Sequence, residues 1–134
     1  HAGHLQVANN LIVNNMVNVV WFVVTPMNPF KQNQRISSQE HRITMVKIAT
    51  QNSPFLQASD LEFALPAPHY TAKTLQYVSA QYKDYNFSIV MGADNYANIL
   101  SWKDCQYILN NFTIYVYKRN SHKTPSSSSI VNIP

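Results

Sequence analysis

Val19-Val20-Trp21-Phe22-Val23-Val24 is an unbroken run of β-branched and aromatic residues, with no polar position on either face of a strand. A strand with one wet face alternates apolar and polar residues. A run without alternation predicts a strand covered on both sides, as in the middle of a parallel sheet. Phe87–Met91 and Thr113–Tyr117 read as further buried strands, Phe55–Ala58 and Leu61–Leu65 as short ones, and Ile130–Ile133 as a last one. Between the strands, apolar residues recur at helical spacing. Leu5, Ala8, Leu11, Ile12 and Met16 line one helix. Ser37 and Glu40 have capping-box spacing ahead of a second, lined by Ile43, Val46, Met45 and Ala49. Tyr70 or Thr71 opens a third, whose apolar side runs through Leu75, Val78 and Tyr82. A short helix follows Gly92-Ala93-Asp94, and another runs through Ile108 and Leu109. Strands alternating with helices imply right-handed βαβ units. The expected class is α/β, a Rossmann-like doubly wound parallel sheet in a single domain spanning residues 1–134.

The composition narrows the function classes. With 46% apolar residues the chain can build a core. Val19–Val24 is its longest apolar run, far short of the roughly 20 residues that span a bilayer, and no secretory signal precedes the first helix. No membrane partner is expected. The lone Cys105 cannot close an internal disulfide, which suits a reducing, cytoplasmic compartment. Ten basic residues against six acidic ones are dispersed along the chain, whereas a nucleic-acid surface shows a denser stripe. His41, His69 and His122 lack metal-ligand spacing, so no protein metal site is expected. The chain opens at His1 without a methionine and stops at Pro134 directly after a strand, which reads as incomplete, and Ser126–Ser129 reads as a low-complexity loop.

In open α/β sheets ligands bind beyond the carboxyl ends of the strands. Lys31, Gly92, Asp94 and Arg119 all fall at such ends. At the other extreme of the chain, His1 and His4 stand three residues apart, on one face of a helix's first turn. Free backbone N–H groups and the positive dipole end favour an anion there, and Gly3 removes a side chain where a ligand would approach the backbone. The segment reads as a polyphosphate cradle with two imidazole donors.

His1-Ala2-Gly3-His4-Leu5 resembles the HxGH signature of the nucleotidyltransferase superfamily. Trp21–Pro26 followed by Asn28-Pro29-Phe30-Lys31 resembles a strand and loop of the bacterial nicotinate-nucleotide adenylyltransferases. So do the helix start Tyr70–Leu75, the segment Gly92-Ala93-Asp94-Asn95 with Trp102-Lys103, and the basic pair Lys118-Arg119, all in the family's order. The family's glycine-containing strand before HxGH and its I-S-S-T-x-I-R motif are absent. The domain is therefore expected to lack its first strand and C-terminal motif here. Phe30 stands where the family has a loop histidine.

The resemblance implies transfer of AMP from ATP to nicotinate mononucleotide, with release of pyrophosphate. Catalytic roles fall to His1 and His4. ATP and phosphate contacts fall to His1, His4, Lys31, Gly92, Asp94 and Arg119, and contacts to the nicotinate nucleotide fall to Tyr70, Thr71 and Trp102. Mg²⁺ would arrive on the ATP phosphates. Thr71 also reads as a plain helix N-cap, and Gly-x-Asp as a common strand-to-helix turn. A phosphopantetheine adenylyltransferase and a nucleotide-binding relative without catalysis are the alternative functions.

Overall fold

A computed structural model describes residues 2–26, 37–118 and 129–133. Helix α1 spans Ala2–Val13 and buries Val7, Ala8 and Leu11, the last of them completely. The chain forms two compact units, one of residues 8–69 and one of residues 1–7 with 70–134.

In the first of these, β1 (Val20–Val23) pairs in parallel with β2 (Leu56–Ser59), with Val20 opposite Leu56 and Val23 opposite Ser59. Their connection contains α2 (Ser37–Thr50), which packs on β2. Ile43, Val46 and Thr50 make its inner stripe, and the Thr50 hydroxyl donates to the Val46 carbonyl at 2.9 Å. Met45 and Ala49 are exposed, contrary to the expected lining. Each immediately precedes a member of that stripe, Val46 or Thr50, and so lies about 100° around the helix from it. Strand β1 departs from expectation as well. Val20, Trp21 and Phe22 are half-buried and Val23 is 38% exposed. Among the described residues β1 pairs with β2 alone.

Leu61–Leu65 is not a strand. Leu61–Ala64 forms a 3₁₀ turn whose amides are satisfied locally. Leu61 N–H donates to Ser59 Oγ at 3.3 Å, Phe63 N–H to Asp60 O at 2.9 Å, and Leu65 N–H to Glu62 O at 3.1 Å. Pro66 and Pro68 follow without an N–H to lend a ladder, so apolar composition alone does not extend the segment.

In the other unit β3 (Ser88–Gly92) pairs in parallel with β4 (Thr113–Lys118), from Ser88 opposite Thr113 to Gly92 opposite Tyr117. Strand β5 (Ser129–Ile133) lies antiparallel on the other edge of β4. A parallel return needs a crossover of about a dozen residues or more, and only residues 119–128 separate the two strands. Helices α3 (Thr71–Gln81), α4 (Ala93–Ala97) and α5 (Cys105–Asn111) complete the unit. Ala72 and Leu75 of α3, Met91 of β3, Ile108 of α5 and Ile114 and Val116 of β4 converge with Ile99 on one core. Tyr82 falls one residue beyond α3, outside the helical stripe it was expected to share. It is 41% exposed and stacks on Tyr85 with ring centroids 5.4 Å apart.

The α/β class stands: two parallel ladders, with helices in the connections between their paired strands, and one antiparallel edge. Among the described residues no helix is long and apolar enough to cross a membrane.

Candidate functional site

The pairing of β3 with β4 ends at Gly92 and Tyr117, one residue before β4 itself ends. Gly92 closes β3 and is the N-cap of α4, with φ −73° and ψ 159°. Any residue adopts that extended conformation, so the backbone does not call for glycine. The nearest atoms to a Cβ built there belong to Tyr117, with Cζ at 3.5 Å and Cε2 and the hydroxyl oxygen at 3.6 Å. Those are ordinary van der Waals distances, so packing does not call for glycine either. The absent side chain leaves a wedge with room for one methyl group between the β3 terminus and the phenol tip.

Asp94 stands in the first turn of α4, exposed to solvent. The alternative reading of Gly-x-Asp as a strand-to-helix turn holds, since Gly92 ends β3 and caps α4, but no side chain caps this helix. The backbone carbonyl of Asp94 accepts from Asn98 Nδ2 at 3.1 Å, while its carboxylate makes no hydrogen bond among the described residues. An exposed carboxylate that the fold leaves unused is a ready acceptor for sugar hydroxyls.

Helix α3 begins at the other nominated position. Tyr70, not Thr71, is its N-cap, with φ −87° and ψ 141°, and no side chain caps it. Thr74 N–H closes the first turn on the Tyr70 carbonyl at 3.2 Å. The amides of Thr71, Ala72 and Lys73, ahead of that bond, form an uncapped helix start. Buried Ala72 and Leu75 fix its position on the core.

Trp102 packs against that same core and is itself half-buried. Its N–H donates to the Ile99 carbonyl at 3.0 Å, ending a 3₁₀ turn over Ile99–Ser101. Two residues on, Asp104 sits in the left-handed region with φ 54° and ψ 39°, a conformation that aspartate tolerates better than most residues. Its carbonyl accepts from Tyr107 N–H at 3.0 Å, which starts α5. The indole is thus carried on a short, defined turn between two helical segments.

His4 is exposed in the first turns of α1, beside a buried Gly3. His1, Lys31 and Arg119 lie outside the described residues. Of the nominated positions, Gly92 and Asp94 share one strand end, while Trp102 packs on the core cluster that Ala72, next to Thr71 in the chain, belongs to.

A family model described as cytidylyltransferase-like matches residues 1–132. The chain belongs to that family. Among similar proteins, the "probable nicotinate-nucleotide adenylyltransferase" of Cytophaga hutchinsonii is 41% identical over 119 residues, 89% of this chain and 62% of its own length. That of Flavobacterium psychrophilum is 42% identical over 119 residues, again 89% of this chain and 62% of the relative. That of Bacteroides thetaiotaomicron is 32% identical over 139 aligned positions, covering all of this chain and 69% of the relative. The chain therefore spans a little over three fifths of the length of the first two relatives.

Two residues of this cytidylyltransferase-like chain escaped the sequence reading. Tyr117 was visible only as the last residue of a strand, although it immediately precedes the basic pair at the strand's carboxyl end. Arg42, in the first turns of α2, donates from Nη2 to the Thr25 carbonyl at 2.8 Å, just past β1. Its only signal was a basic residue two positions after the capping-box Glu40. Among the described residues no group of three or more His, Cys, Asp or Glu side chains could hold a metal ion.

Proposed function

We propose that this protein transfers the adenylyl group of ATP to nicotinate mononucleotide, forming nicotinate adenine dinucleotide and pyrophosphate in cytoplasmic NAD biosynthesis. The observation that carries the reading is Gly92. Neither its backbone angles nor its packing require a glycine, and an unused carboxylate stands two residues away. A ligand held close to the backbone explains both features, and the named relatives supply its class.

A phosphate oxygen of the mononucleotide attacks the α-phosphorus of ATP. The bond from that phosphorus to the bridging oxygen breaks, and the electron pair leaves with pyrophosphate. No covalent enzyme intermediate is needed, so positioning and charge stabilisation carry the step. His1 and His4 hydrogen-bond the phosphate oxygens on which charge builds. Lys31 and Arg119 neutralise further phosphate charge, Arg119 through a two-pronged contact. Gly92 and Asp94 hold the ATP ribose. The uncapped start of α3 at Tyr70 and Thr71 receives the nicotinate carboxylate, and Trp102 stacks on the pyridine ring.

Mg²⁺ binds mainly to phosphate and water in such reactions and enters with ATP. It would add positive charge at the triphosphate. The partners are therefore two small nucleotides, with neither nucleic acid nor membrane involved.

Pyrophosphate release by the full-length protein tests the reading, with ATP and one acceptor at a time. Nicotinate mononucleotide is expected to support turnover best, nicotinamide mononucleotide less, and phosphopantetheine not at all. Faster release with phosphopantetheine, or none with either pyridine mononucleotide, refutes it.

A further inference from the structure

Tyr117 has no role in the assignments above, yet its polar end occupies the edge of the proposed ribose site. The parallel register of β3 and β4 sets it directly opposite Gly92. It is the tip of the ring that reaches across: Cζ, Cε2 and the hydroxyl oxygen all lie within 3.6 Å of where a Gly92 side chain would begin. The residue is half-buried, so the ring is held, and its hydroxyl makes no hydrogen bond among the described residues. A purely structural aromatic here would pack as well as phenylalanine. Tyrosine adds one donor and one acceptor, placed beside the bare backbone of Gly92.

We propose that the Tyr117 hydroxyl is a specificity contact, hydrogen-bonding a ribose hydroxyl of the nucleotide seated against the bare backbone of Gly92. The assignment rests on the ATP site proposed above. A sugar edge laid against the Gly92 backbone brings its hydroxyls next to the phenol oxygen. Asp94 supplies an acceptor and tyrosine a group that can donate or accept, so two vicinal hydroxyls can both be satisfied. A deoxyribose would leave one of these groups unpaired. Tyr117 therefore helps the site prefer ribonucleotides.

The test is Tyr117→Phe in the full-length protein, which removes one oxygen and keeps the ring. Calorimetric Kd values are measured for ATP, 2′-deoxy-ATP and 3′-deoxy-ATP, with thermal unfolding alongside. One neutral hydrogen bond corresponds to about 3- to 10-fold in affinity, so the variant is expected to bind ATP weaker by that factor with an unchanged Tm. With one of the two deoxy analogues, wild type and variant should bind equally. Equal ATP affinity of wild type and variant overturns the proposal. So does an equal loss for ATP and both analogues, which would place the contact away from the ribose. Pyrophosphate release from wild type is read separately. Wild type that binds ATP yet turns over no pyridine mononucleotide refutes the reaction, while the ratio of ATP affinities still decides the role of Tyr117.

Discussion

Replacing Gly92 by alanine separates a glycine kept for the fold from one kept for a ligand. At φ −73° and ψ 159° alanine is allowed, and losing glycine's freedom in the unfolded chain stabilises by about 0.4–1 kcal/mol. Against this, alanine is a poorer N-cap than glycine, at a cost of about 0.5–1 kcal/mol. The new methyl would touch the Tyr117 ring at 3.5 Å, a contact without strain. These effects nearly cancel, so stability should change by less than about 1 kcal/mol and Tm by less than about 4 °C. Binding should respond differently. At the proposed ribose site the methyl would stand between the sugar and the Gly92 backbone, and overpacking of a fitted contact costs about 1–3 kcal/mol, or roughly 5- to 150-fold in affinity. Thermal unfolding and calorimetric titration with ATP measure both quantities on one preparation. A Tm lowered by more than about 10 °C with ATP affinity intact would show that Gly92 serves the fold, and the reasoning from its angles and contacts would be wrong.

Three further substitutions probe other parts of the site and its support. His4→Ala, at an exposed position, is expected to lower kcat by about 10²- to 10³-fold while the mononucleotide Kd changes less than about threefold; steady-state kinetics with direct binding decides, and an unchanged kcat removes its charge-stabilising role. Trp102→Ala should weaken mononucleotide binding about 2- to 13-fold and leave ATP affinity alone, with Trp102→Phe recovering most of the loss. A loss confined to ATP would move the indole to the other substrate. Ile114→Ala, at a core position 1% exposed, should cost about 2–5 kcal/mol in urea unfolding, and a cost under about 1 kcal/mol would show that the site collapses around the cavity.

Where the sequence reading succeeded and failed follows from the range of the interactions involved. Helix α3 was legible because its start and its buried Leu75 and Val78 lie within a few turns of one another. Gly92 and Asp94 were legible for the same reason, being neighbours in the chain. The apolar run of β1 promised a strand covered on both faces, and yet Val23 is 38% exposed. Strand β4 fits that description instead: Ile114, Tyr115 and Val116 are buried in succession, so both faces are covered. Composition separates strand from helix, but which strand becomes covered depends on its neighbours. Leu61–Leu65 failed on a different scale, because its amides donate to Ser59 Oγ and to the Asp60 and Glu62 carbonyls, forming a turn that no apolar count registers.

Tyr117 is the clearest case of information that only pairing can supply. It lies 25 residues after Gly92, and their adjacency depends on the register that sets Met91 opposite Val116. A slip of one residue would bring Val116 or Lys118 opposite Gly92 and turn the side chains of β4 to opposite faces. Buried Ile114 and Val116 oppose such a slip, since it would turn both away from the core cluster they share with Met91 and Ile99. The core residues of β4 therefore do more than stabilise the strand: they select which side chain borders the wedge at Gly92. A substitution that kept the strand but loosened this register would degrade ribose selection before it degraded the fold. The site's chemistry is thus set by the same apolar contacts that hold the sheet together.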